Sequence, residues 1–160
     1  RLLQLELVPF VAAIDAGVAA IMTAHVVMRG IDPENPATLS AGVLTGLLKT
    51  RLGFNGGVIT DDLEMKAIAD NYGRIDAPLR AAMAGADLLL VCHTRDLQRE
   101  IRDALASALC SGDVSEDRAA DASWRVAGLK KRVPRNKTDP SFIGCAAHAA
   151  LAREIRGLAC

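Results

Sequence analysis

Five positions along the 160-residue chain place a reactive side chain just after a short apolar run: His25, the pair Asp61 and Asp62, and His93 with Thr94. Histidine titrates near neutral pH and suits proton transfer, while a carboxylate can act as a nucleophile. The acid pair carries the most specific chemistry. A carboxylate at the end of a buried strand can attack an anomeric carbon, provided a second group protonates the departing oxygen. Adjacent strand residues point to opposite faces, so one acid of the pair faces a ligand while the other caps the following helix or bonds to the wall. Helix capping alone also accounts for two acids after a strand, and spacing leaves both readings open.

Three runs of strand length must position these groups: 18–22, 57–60 and 87–92. Helical periodicity surrounds them. It predicts a helix over 5–16 through Leu7, Phe10, Val11 and Ile14, ended by Gly17. Thr38 or Ser40 can cap a second, running to Leu52 with Val43, Leu44, Leu47 and Leu48 on its apolar face, and Gly53 stops it. Further helices are predicted over 63–71, where the preceding acids favour the first turn, and over 76–84, 96–109 and 115–132, the last with Ala119, Ala122, Val126 and Leu129 inward. Pro134 closes that helix, residues 134–144 read as an extended tail, and 146–158 can form a final amphipathic helix.

Near-continuous apolar strands separated by amphipathic helices indicate a parallel sheet covered by helices, hence an α/β fold. In such folds ligands bind at the carboxyl ends of the strands, where the five reactive residues stand. Three strands are few, since a (β/α)8 barrel needs eight in roughly 250 residues. Three alone leave two long apolar edges, so the chain reads as the second part of a larger α/β domain.

Composition narrows the classes. Nineteen basic residues balance nineteen acidic ones, with signs mixed along the chain, which disfavours nucleic acid as a partner. The apolar stretch 86–92, interrupted by Asp87, falls far short of the roughly 20 residues of a membrane span. Cys92, Cys110, Cys145 and Cys160 form no C-x-x-C pair and have no histidine at ligand spacing, so no metal and no cofactor are expected. They read as small buried apolar residues in a reducing compartment. The amphipathic start is unlike a secretory signal, and with the free thiols it leads to a cytoplasmic expectation, although the chain begins on Arg1. His148 reads as a surface or packing residue, and Leu63, Met65 and Trp124 as core or pocket rim.

The run Gly53-Phe54-Asn55-Gly56-Gly57-Val58-Ile59-Thr60-Asp61-Asp62-Leu63-Glu64-Met65 resembles the nucleophile segment of family 3 glycoside hydrolases, in the β-N-acetylhexosaminidase branch with its G-F-x-G-V-I-x-[ST]-D-D-L-x-M pattern. β-Glucosidases of the family more often carry S-D-W there. Leu5-Glu6-Leu7-Val8-Pro9-Phe10, Ile21-Met22-Thr23-Ala24-His25-Val26, Pro36-Ala37-Thr38-Leu39-Ser40, Ala84-Gly85-Ala86-Asp87 and the helix with Arg125 and Lys130 agree in order and spacing, so the resemblance runs from about Leu5 to Val133.

The resemblance implies a TIM-barrel enzyme that releases terminal β-linked N-acetylglucosamine from cell-wall or chitin fragments with retention, as in peptidoglycan recycling. It implies Asp61 as nucleophile, with Asp62 orienting and His25, Asp62 and Met65 beside the sugar. A pocket-wall or loop-bracing role suits His25 better than proton transfer. The branch's acid/base loop, K-H-F-P-G-H-G, does not occur in these 160 residues, nor does its Asp-Ser-His segment. The chain is therefore expected to be about the last three strand–helix units of a barrel, residues 1–133, followed by a linker and tail helix, 134–160, and to be incomplete for catalysis alone. The alternative is an inactive remnant or interaction module that needs a partner for the missing strands.

Overall fold

The computed structural model of the protein describes residues 1–133 and 140–158; the first part of the extended tail expected over 134–144, residues 134–139, and Cys160 lie outside the described residues, and within the rest of that tail Pro140–Phe142 form a 3-10 turn in place of extended chain. Two parallel strands form its centre, β1 (Ala20–Met22) and β2 (Gly57–Ile59), with Ala20 opposite Gly57, Ile21 opposite Val58 and Met22 opposite Ile59. The third apolar run lies on the far side of β2. There Thr60 N–H donates to the Leu88 carbonyl and Leu63 N–H to the Leu90 carbonyl, both at 3.0 Å. It forms a single parallel bridge, Ile59 to Leu88, rather than the strand expected over 87–92. The reason is a side chain in the ladder: the buried Thr60 hydroxyl accepts the Leu90 N–H at 2.9 Å, taking a bond that a backbone carbonyl would make in a regular strand.

The helices are α1 (Val8–Asp15), a wide-turned helix (Gly42–Arg51), α2 (Lys66–Tyr72), α3 (Asp76–Ala84), α4 (Arg95–Ser111), α5 (Glu116–Arg132) and α6 (Ala146–Gly157). The first expected helix is split, because Pro9 lacks an N–H and belongs in a first turn; a separate turn, Leu2–Glu6, precedes it. Of the two caps expected for the second helix, Ser40 serves: its Oγ accepts the Val43 N–H at 3.3 Å. Helix α2 begins three residues later than expected. Asp62 Oδ1 accepts the Glu64 N–H at 3.1 Å in a local turn, Met65 stays extended, and no acid stands in the first helical turn. Ser115 caps α5, its Oγ accepting the Arg118 N–H at 3.2 Å.

The core lies between the sheet and its helices, built from Leu44, Phe54, Val58, Leu63, Ile68 and the alanine face of α3, with Ile14, Val18 and Ile21 packed against it. Val58 and Thr60 are fully buried on this side of β2. By alternation Ile59 and Asp61 occupy the opposite face, which they share with Met22. One expectation of burial fails. Cys92 and Cys110 are exposed and Cys145 is half-buried; Cys92 is the last residue of the apolar run, and Cys110 lies on the side of α4 away from buried Leu97, Ile101 and Ala108. Trp124 is exposed at the rim of a concavity that it lines with Arg125 and Gly128, one of the two places expected for it. Among the described residues no helix is long and apolar enough to cross a membrane.

At the amino-terminal end of the sheet, charges bind the layers. Asp87, with no exposed side-chain surface, meets Lys49 Nζ at 2.9 Å and Arg118 Nη2 at 2.6 Å, and its second oxygen accepts the Val58 N–H at 2.9 Å. Asp121 of α5 receives Lys49, Arg118 and Arg125. Burial acts to raise its carboxyl, but Arg125 and Lys49 outweigh that effect and hold it below the usual carboxylate range. The three cations outnumber the two anions. Arg118 also donates to the Ala82 and Ala86 carbonyls, and Arg125 to those of Phe54 and Gly56. Helix α5 packs closely on Gly57, where an added Cβ would come within 2.5 Å of Leu129 Cδ1 and that side chain would have to shift. Removing one partner of a buried pair leaves the others desolvated and unmatched. Asp87→Asn should therefore lower the unfolding free energy by about 3–5 kcal/mol, read from the urea midpoint; a loss under about 1 kcal/mol would show that the cluster does not hold the fold.

Candidate active site

At the carboxyl ends of the strands the chain gathers all five reactive residues. Asp61 stands two residues beyond the end of β2, on the face away from the core. Its N–H donates to Thr23 Oγ1 at 3.4 Å, and its Oδ1 accepts the Asp62 N–H at 2.8 Å. Among the described residues that amide is the carboxylate's sole hydrogen-bond partner, so one oxygen remains open to a ligand. Asp62 is fully engaged by comparison. Its Oδ1 accepts N–H groups of Glu64 at 3.1 Å and Cys92 at 3.3 Å, and its Oδ2 faces His93 Nε2 at 3.2 Å. The two acids are adjacent in sequence and different in circumstance, because the pleat sends one to the open face and the other into the neighbouring loop.

His25 braces the next peptide, between Asp62 and Leu63. A carbonyl can only accept, so the Nε2 that stands 2.9 Å from the Asp62 carbonyl carries a proton; this tautomer is assigned from the network. Nδ1 lies 2.8 Å from Thr38 Oγ1, which is 2.8 Å from Thr23 Oγ1, the acceptor of the Asp61 N–H. A chain of hydroxyls thus runs from the imidazole to the amide of Asp61. Both ring nitrogens of His25 are engaged within the protein. Met65 stands at the rim, exposed and extended, at the start of α2. His93 is exposed, held through its contact with Asp62.

Glu64, Thr23 and Thr38 belong to the site, and their residue types and spacing alone do not single them out. Glu64 Oε2 accepts the His93 N–H at 2.7 Å and the Thr94 N–H at 3.1 Å. The Thr94 hydroxyl and the His93 amide hold its carboxyl below the usual range. The available signal is position, since Glu64 lies within the same thirteen-residue run as the acid pair, Thr23 lies beside His25, and Thr38 stands in the segment 36–40. Around Cys92, desolvation and the carboxylates of Asp62, Glu64 and Asp61 push the thiol up from its ordinary value. Only the thiolate alkylates readily. At pH 8, Cys92 should react with iodoacetamide more slowly than the exposed Cys110, by peptide mass spectrometry; equal or faster labelling of Cys92 would contradict the acidic surroundings described.

The sequence profile of the glycosyl hydrolase family 3 N-terminal domain matches residues 1–129. The chain belongs to glycosyl hydrolase family 3. Among curated relatives, a beta-hexosaminidase of Nitrosomonas eutropha is 42% identical over 101 residues, covering 62% of this chain and 28% of that protein. One of Chromobacterium violaceum is 39% identical over 128 residues, covering 80% of this chain and 34% of that protein. Among solved structures, a family 3 beta-N-acetylglucosaminidase from a Paenibacillus species aligns with a TM-score of 0.82 at 44% identity, over 89% of this chain and 28% of that one. The beta-N-acetylglucosaminidase of Thermotoga maritima gives 0.76 at 30% identity, over 82% and 29%. The chain spans about a third or less of the length of these relatives. It is glycoside hydrolase sequence of the beta-hexosaminidase kind, as the run 53–65 implied, and shares the parallel α/β arrangement with these structures over most of its length.

Proposed function

We propose that this chain supplies the nucleophile, Asp61, for retaining hydrolysis of terminal β-linked N-acetylglucosaminides such as cell-wall or chitin fragments. The observation that carries the reading is the contrast within the acid pair: Asp61 presents an open carboxylate oxygen at a strand end, while Asp62 is bound to the adjoining loop. The names of the relatives support the substrate class. In this reading residues 1–133 are the last strand–helix units of a family 3 barrel and 134–160 a linker and tail helix. The group that protonates the leaving oxygen comes from the rest of the barrel, since the K-H-F-P-G-H-G loop does not occur here.

In the first step the Asp61 carboxylate attacks the anomeric carbon as the glycosidic bond breaks, its electron pair leaving on an oxygen that takes a proton from the acid group. In the second, water deprotonated by that group attacks the anomeric carbon and releases Asp61. The Asp61 carboxylate holds the Asp62 N–H of the peptide between the two acids, His25 holds the carbonyl of the peptide that follows, and Met65 offers a thioether and methylene surface at the rim of the sugar site.

A chimera in which this chain replaces the matching segment of a full-length family 3 beta-hexosaminidase tests the reading directly. It should hydrolyse p-nitrophenyl N-acetyl-β-glucosaminide, and Asp61→Asn should lower kcat at least about 10³-fold. An Asp61→Asn chimera within tenfold of its parent would show that Asp61 is not the nucleophile.

A further inference from the structure

Helix α4 is 17 residues long, and Thr94 at its start makes no side-chain cap of its own. The three amides just before the helix, those of Cys92, His93 and Thr94, find their acceptors in another loop. Glu64 takes the N–H groups of His93 and Thr94, and Asp62 takes that of Cys92 as well as the His93 imidazole. Two carboxylates that follow β2 therefore clasp the segment that follows the third apolar run. The division of labour is uneven. Asp62 also turns back on the Glu64 N–H, so its oxygens are filled, and Glu64 alone serves the two amides next to the helix.

We infer that Glu64 is a positioning residue for Asp61: by occupying the His93 and Thr94 amides ahead of α4 it keeps the acid pair from being drawn toward them. This rests on the reading of Asp61 as nucleophile. Without Glu64, the carboxylate after β2 that already holds this segment is Asp62, through the Cys92 N–H. Asp62 would be shared with the orphaned amides, the 61–62 peptide would follow its side chain, and the Asp62 carbonyl would shift from His25. The Asp61 oxygen that faces the open side would then leave its line of attack. A displacement of about 1 Å at a reacting group lowers rates by up to about 100-fold.

The test has two arms. In the 160-residue chain, amide hydrogen exchange of His93 and Thr94 should speed up about tenfold or more in Glu64→Ala and stay within about threefold in Glu64→Gln, whose carbonyl can still accept. In the beta-hexosaminidase chimera, Glu64→Ala should lower kcat about tenfold or more with KM within about twofold, and Glu64→Gln should restore kcat to within about threefold of the parent. A raised KM with unchanged kcat would make Glu64 a substrate contact and overturn the positioning role. So would an unchanged kcat in Glu64→Ala while Asp61→Asn is inactive, or unchanged exchange at His93 and Thr94. Activity that survives Asp61→Asn would instead remove the nucleophile reading itself, and the positioning role with it.

Discussion

A buried carboxylate fixes the frame of this molecule. Asp87 has no exposed side-chain surface, and a charge in that position is tolerable only with partners close by. It finds them in three layers at once: the Val58 amide in β2, Lys49 in the wide-turned helix, and Arg118 in α5. The contact to Val58 sets how the third apolar run lies against β2. Alternation along β2 then decides which acid of the pair three and four residues onward faces away from the core.

The two ends of the sheet do different work. At the amino-terminal end, cations and carboxylates interlock with backbone carbonyls, and the Leu129 side chain of α5 packs directly on Gly57. At the carboxyl-terminal end the polar groups are arranged around one carboxylate that is left partly open. The separation matches the general behaviour of parallel α/β folds, where one end of the strands stabilises and the other carries chemistry. Neutral and charge-assisted hydrogen bonds both surround that open carboxylate, with hydroxyls and imidazole on the side of β1 and carboxylate-to-amide bonds on the side of the third run.

Much of this is legible in the amino-acid sequence where local rules decide. The helix over 76–84 forms with those boundaries, and the helix beginning after Ser115 is capped as its sequence suggests. The strand-end position of His25, Asp61, Asp62, His93 and Thr94 follows from the apolar runs before them. What escapes depends on contacts between distant segments. Asp87 reads as an interruption of an apolar run, and its partners lie 38 and 31 residues away. Glu64 reaches across 29 and 30 residues to amides that have no sequence signature. The late start of α2 and the hydroxyl that breaks the third strand come from single side chains competing with the backbone, Asp62 and Thr60. Exposure of Cys92 and Cys110 shows that apolar character does not bury a thiol once the elements beside it are full.

In the proposed reaction the central chemical event is a covalent bond to Asp61. A slow fluorinated donor, 5-fluoro-N-acetylglucosaminyl fluoride, destabilises the cationic transition state and lets the glycosyl-enzyme accumulate. Peptide mapping of the trapped beta-hexosaminidase chimera should place one sugar ester on the peptide that carries Asp61 and none in Asp61→Asn. A sugar bound to another residue, or an unchanged label in Asp61→Asn, would contradict the nucleophile assignment.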